Sequence, residues 1–156
     1  MALFFEFDII ILKVVIKMIE YKQLIFDKNE ITKLYRSVGW SEYLKDEDSL
    51  FLGIQNSLFS FAAYENDNLI GLVRVVGDGQ TIIYIQDILI NPTYQNKAVG
   101  SNLLKYILFK YNNVRQVLLT TDNNIATMNF YEKNGFIKYE DIKLIGYMKK
   151  KGDIND

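Results

Sequence analysis

Ile88-Leu89-Ile90-Asn91-Pro92-Thr93-Tyr94-Gln95-Asn96-Lys97-Ala98-Val99-Gly100-Ser101 is the stretch on which the reading of this chain turns. An apolar run ends at Asn91 and the chain's single proline, and a short polar stretch follows. Gly100, Leu103, Leu104, Ile107, Leu108 and Tyr111 then recur at helical spacing. The pattern predicts a buried strand, a Pro-terminated turn, a small-residue loop and a helix. The first turn of a helix leaves its backbone N–H groups without internal partners. Those donors and the helix dipole suit an anion such as a pyrophosphate. Ala98 and Gly100 keep side-chain bulk away from it. On spacing alone, a tight strand-to-helix turn explains the same residues.

Working outward, Thr81 to Ile90 is apolar on both faces, as in the middle of a sheet. Upstream, Leu58 to Tyr64 and Leu69 to Val76 read as strands joined by an Asn66-Asp67-Asn68 turn. Gly77-Asp78-Gly79 turns the chain into the long strand. Before these, Ile19 to Phe26 reads as a strand. Asp27 with Glu30 has capping-box spacing ahead of Ile31, Leu34, Tyr35 and Val38, with Gly39 as a stop. Asp46 or Asp48 opens a second helix. Downstream, Val114 to Thr121 predicts a strand and Asn124 to Asn134 a helix closed by Gly135. Two more strands are expected at Phe136 to Tyr139 and Leu144 to Lys149. The order β-α-α-β-β-β-α-β-α-β-β predicts an α/β (α+β) fold, a mixed sheet of about six to seven strands with helices on both faces. One domain is expected over 18–150, with an apolar extension at 1–17 and a polar tail at 151–156.

The 156 residues include no cysteine and no histidine. That excludes a thiolate nucleophile, an imidazole base, a Ser-His-Asp triad and Cys- or His-ligated metals. No metal site is expected. With 18 Lys and Arg against 19 Asp and Glu, the formal net charge of -1 argues against a nucleic-acid binder. Any chemistry must come from carboxylates, Tyr, Ser/Thr, Lys, backbone dipoles or a cofactor.

Residues 1–19 are strongly apolar, but Glu6, Asp8, Lys13 and Lys17 interrupt the run. A membrane span needs about 20 largely uncharged residues, and a signal peptide a basic start. Neither is expected here. The segment reads as an extra packed element, as a dimerisation or membrane-surface segment, or as an extension upstream of a start at Met18.

Gln95-x-x-Ala98-x-Gly100 resembles the acyl-CoA loop, Q/R-x-x-G-x-G/A, of the GNAT superfamily of N-acetyltransferases. Asn124-x-Ala126-x-x-x-Phe130-Tyr131-Glu132-Lys133-Asn134-Gly135-Phe136 resembles that family's second signature. The resemblance spans roughly 19–149 and implies acetyl-CoA as co-substrate and direct transfer to a primary amine. It places the cofactor arm along Ile88, Leu89 and Ile90. It places the pyrophosphate on the N–H groups of Asn96, Lys97, Ala98, Val99, Gly100 and Ser101, beside the Gln95 side chain. Asn124 would bond the arm, and Tyr131 would protonate the departing sulfur. Ala98 departs from the family's usual glycine and would strain the loop at positive φ. Leu119 stands where several relatives carry a glutamate base. Asp87 is the first candidate for the missing base, against a structural carboxylate. Trp40, Tyr84 and Gln86 are candidates for the acceptor pocket, and Arg74 reads as a salt-bridged strand residue. A small-molecule amine is the expected acceptor, and a cytoplasmic chain, with a homodimer open, is implied. A CoA-binding module without catalysis, or a protein amine as acceptor, are the alternatives.

Overall fold

The computed structural model describes residues 18–149. The extension at 1–17 and the tail at 150–156, with the readings made of them, lie outside the described residues. Five strands form one sheet in sequence order: β1 Glu20–Gln23, β2 Phe59–Glu65, β3 Asn68–Gly77, β4 Ile82–Ile90 and β5 Gln116–Leu119. The first four are antiparallel neighbours, and β5 joins β4 in parallel. Helices α1 (Lys28–Ser37) and α2 (Glu47–Gln55) cover one face. Helix α3 (Val99–Lys110) and Tyr131 of α4 (Ile125–Lys133) pack on the other.

Local chemistry accounts for these elements. The Asp27 carboxylate accepts the N–H of Glu30 at 3.0 Å and caps α1. The Glu30 carboxylate does not close the box; it accepts the N–H of Leu69 at 3.0 Å and ties α1 to β3. Asp46 caps α2, so of the two predicted openers the first is used. Asn66 (φ 48°) and Asp67 (φ 65°) make the β2–β3 turn in the left-handed region that short polar side chains tolerate.

The sheet core is split by a bulge. Arg74 pairs with Asp87 and Val75 with Ile85, so Gln86 is the extra residue on β4. Its insertion reverses which side chains face which way. Ile83 and Ile85 join the α3 core with Leu103, Leu104 and Ile107. Leu89 joins the α1/α2 core with Ile31, Leu34 and Phe51. The bulge therefore turns Asp87 toward the α1 side.

The mixed sheet with helices on both faces is as expected, but among the described residues it has five strands and ends at β5, fewer than the six to seven expected. Phe136 to Tyr139 and Leu144 to Lys149 form no strand; among the described residues they are turn and irregular backbone around a 3-10 turn at Glu140–Ile142. The Tyr139 hydroxyl donates to the Leu119 carbonyl at 3.2 Å. The chain then folds back, with Leu144 N–H on the Tyr139 carbonyl at 2.8 Å and Lys143 at φ 58°. Alternating apolar residues make a strand only when a neighbour supplies hydrogen bonds. Here Ile137, Ile145 and Tyr147 stay exposed, and only Phe136 reaches the core.

Candidate active site

Strand β4 pairs with β5 only from Ile82 to Ile85, opposite Gln116 to Leu119. Beyond that point the strands part. From Gln86 to Ile90 the β5 side of β4 has no strand partner among the described residues. Ile88, Leu89 and Ile90 thus border an open V, with β3 fixing the other edge. An extended ligand arm can pair with main chain exposed in this way.

The loop from β4 to α3 closes the far end. The Asn91 side chain accepts the N–H of Thr93 at 3.0 Å, and Pro92 starts a 3-10 turn that ends at Tyr94. Asn96 (φ 59°) and Ala98 (φ 61°) both lie in the left-handed region. The predicted strain at Ala98 is therefore present. Helices α1, α2 and α4 are capped by Asp27, Asp46 and Asn124, whereas Ala98 gives α3 no capping side chain. The N–H groups of Val99, Gly100 and Ser101, in the first turn, have no intrahelical partner. The Gln95 amide donates to the Ile90 carbonyl at 3.2 Å, bridging loop and strand end. Lys97 is exposed, with Nζ 5.4 Å above the Tyr94 ring.

Across β5, the Asn124 side chain accepts the N–H groups of Ala126 and Thr127 at 2.9 and 3.3 Å. Its oxygen serves the helix, and its amide nitrogen remains as a donor. Two turns later, Tyr131 is 8% exposed. Its ring packs edge-on against Phe130 at 5.1 Å and Phe136 at 5.7 Å. Burial, then the neighbouring Tyr84 phenol, push the Tyr131 hydroxyl up to about 12. A phenol with that value keeps its proton at neutral pH, as a general acid must. A cavity of about 320 Å³ opens beside it, lined by Leu119, Met128, Phe136 and Tyr139 among others. The Tyr84 hydroxyl meets Thr120 Oγ1 at 2.5 Å where β4 and β5 separate.

Asp87 lies elsewhere in its chemistry. Its Oδ2 accepts Arg74 Nε at 2.6 Å and the Tyr35 hydroxyl at 2.7 Å; its Oδ1 accepts the Tyr43 hydroxyl at 3.0 Å. The carboxylate is 1% exposed. Arg74 goes on to the Gly53 carbonyl and Ser57 Oγ, both at 3.3 Å, fastening α2 to the sheet. Burial, then the Asp87 charge, raise the Tyr35 and Tyr43 phenols above their ordinary range. This is the geometry of a structural carboxylate, with both oxygens already engaged.

Trp40 and Gln86 converge on Tyr43. The Trp40 ring stacks on Tyr43 at 5.8 Å and meets Tyr35 edge-on at 6.0 Å. Exposed Gln86 donates to the Tyr43 hydroxyl at 3.4 Å. Sequence reasoning missed Tyr43 and Tyr35, because nothing local marks a residue whose partner is 44 or 52 positions away. Among the described residues, no group of Asp and Glu is arranged to hold a metal ion, and no helix is long and apolar enough to cross a membrane.

A model of the acetyltransferase (GNAT) family matches residues 26–136. The chain belongs to the GNAT acetyltransferase family. An uncharacterised ycf52-like N-acetyltransferase of Prochlorococcus marinus is 30% identical over 116 residues, which are 70% of this chain and 62% of that one. The chain thus spans less than two thirds of that relative's length. A GNAT-family acetyltransferase of Streptococcus pneumoniae superposes with a TM-score of 0.77 at 30% identity, covering 85% of this chain and 98% of the other. The aminoglycoside N-acetyltransferase AAC(6')-Iy, solved in complex with CoA, shares the fold at 16% identity, with a TM-score of 0.68 over 85% of this chain and 95% of that one. In this GNAT chain the α3 N-terminus and α4 meet on one face of the sheet, where the Phe130 ring lies 3.4 Å from the position a Cβ on Gly100 would take.

Proposed function

We propose that this GNAT-family chain transfers the acetyl group of acetyl-CoA to a primary amine of a small molecule. The observation that carries the reading is the parting of β4 from β5 beside an uncapped α3 N-terminus, against which α4, the helix that carries Tyr131, packs through Phe130. The free donors of Asn96 to Ser101 suit the pyrophosphate, and the open main chain of Ile88 to Ile90 suits the pantetheine arm. A backbone N–H on that edge would polarise the thioester carbonyl.

With no cysteine in the chain, a Cys-acyl intermediate is ruled out, and transfer is direct. The amine nitrogen attacks the thioester carbonyl, the C–S bond breaks and Tyr131 gives its proton to the leaving sulfur. Asp87 is withdrawn from the base role by its three hydrogen bonds, so the amine proton passes to water. The buried Asp87 instead orients Tyr43, and Tyr43 with Trp40 and Gln86 offers an aromatic, hydrogen-bonding surface for the acceptor.

Thiol release from acetyl-CoA across a panel of small amines and amino-terminal peptides tests this. Amine-dependent release with small amines supports the reading. Release with peptides alone would move the acceptor class, and CoA binding without release under any amine would reduce the chain to a binding module.

A further inference from the structure

The β4–α3 loop keeps two non-glycine residues, Asn96 and Ala98, at positive φ. Such backbone persists only where its surroundings over-determine it. Among the described residues, most hydrogen bonds that hold this loop are local to it or to the end of β4. Asn91 N–H donates to the Ile70 carbonyl at 2.8 Å, and the Gln95 amide to the Ile90 carbonyl at 3.2 Å; both act at the strand end itself. One side chain of the loop crosses to a remote part of the sheet. The Tyr94 phenol donates to the carboxylate of Glu65, 29 positions earlier, where β2 ends. Glu65 is 7% exposed, and Tyr94 packs against the α3-side core. A buried carboxylate demands partners, and hydrogen bonds to one are about twice as strong as neutral ones. The tie is thus about twice as strong as a neutral hydrogen bond, and it sits two residues before the first strained position.

We propose that Tyr94 and Glu65 are positioning residues, a clasp that holds residues 95–101 in the strained shape that binds the phosphates of the acyl donor. The clasp rests on the acetyl-CoA reading for its consequence, not for its existence. Without it the loop relaxes, and binding must first re-order it. Tyr131 lies on α4 and is not a hydrogen-bond partner of the Tyr94 phenol, whose bond is to Glu65. Loss of the clasp therefore raises the KM for acetyl-CoA and leaves kcat at saturation in place.

The test uses the full chain and Tyr94→Phe, which keeps the packed ring. Hydrogen exchange of the ligand-free protein should show the amides of 96–101 exchanging faster in the variant. Calorimetric titration should show acetyl-CoA binding weakened by about tenfold, with kcat at saturation within about twofold. Ala98→Gly removes one source of strain, so it should recover more affinity in the Tyr94→Phe background than it gains alone. Glu65→Gln, which keeps an acceptor, should fall between the two. Unchanged exchange and affinity in Tyr94→Phe would overturn the clasp, as would a fall in kcat equal to the fall in kcat/KM. Equal gains from Ala98→Gly in both backgrounds would overturn the link to strain. Failure of the unaltered protein to bind acetyl-CoA would overturn the functional reading alone, because amide exchange reads the clasp without ligand.

Discussion

Tyr131→Phe separates chemistry from structure more cleanly than any other substitution in this chain. The ring supplies the packing, against Phe130 at 5.1 Å and Phe136 at 5.7 Å, and Phe keeps both contacts. The hydroxyl makes no hydrogen bond among the described residues, so its removal orphans no partner. The expected change in stability is below about 0.5 kcal/mol, because the usual penalty comes from a partner left unsatisfied. The reaction should suffer far more. Removing a general acid should lower kcat by roughly 10- to 10³-fold, which is about 1.4 to 4 kcal/mol of barrier. Steady-state thiol release at saturating amine and acetyl-CoA measures the first quantity, and urea unfolding of the same samples the second. Because burial holds this phenol at about 12, the wild-type rate should show no loss of the acid below about pH 10. Unchanged turnover in the variant would refute the assignment. A large fall in stability would refute the claim that the hydroxyl is structurally idle.

Ala98→Gly relieves a left-handed alanine, about 1 to 2 kcal/mol, against about 0.4 to 1 kcal/mol of added unfolded-state entropy. Thermal melting should therefore rise slightly or hold, and calorimetry should show tighter acetyl-CoA binding; weaker binding would contradict the strain argument. Asp87→Asn leaves the 8%-exposed Arg74 side chain without its counter-charge and should cost about 3 to 5 kcal/mol by urea unfolding. A collapse of kcat in a variant that stays fully folded would return Asp87 to the catalytic machinery. Gly77→Ala would set a Cβ 2.4 Å from the Ile82 carbonyl oxygen at φ +134°; a loss of more than about 2 kcal/mol is expected by thermal melting. Tyr35 and Tyr131 hold their protons to higher pH in the folded state than in the unfolded one. Their contribution to stability is therefore complete below about pH 10 and declines as pH rises above it, by up to about 1.4 kcal/mol per unit for each group. Urea midpoints at pH 9 and 11 should fall in that order, with Tyr131→Phe flattening the slope.

What the sequence determined by itself is what depends on neighbours along the chain. Helix caps at Asp27, Asp46 and Asn124 act over two or three residues, and the β2–β3 turn over two, so they were legible. The loop from Gln95 to Gly100 and the helix bearing Tyr131 are contiguous motifs, and their order identified the family and the fold. The alanine in place of the usual glycine was readable at Ala98, but only the structure set its φ at 61° and so decided that it is strained. Tertiary structure decided what depends on contacts between distant segments. The extra residue at Gln86 turned Asp87 inward, where Tyr35, Tyr43 and Arg74 engage both its oxygens and fasten α1, α2 and the sheet together. The last two expected strands failed for the same reason. Their apolar and aromatic content was present, but a strand exists only with a hydrogen-bonding neighbour, and beyond β5 the chain turned on Tyr139 instead. Register, partner and facing are properties of pairs of segments, and a single chain read from end to end carries them only once it has folded.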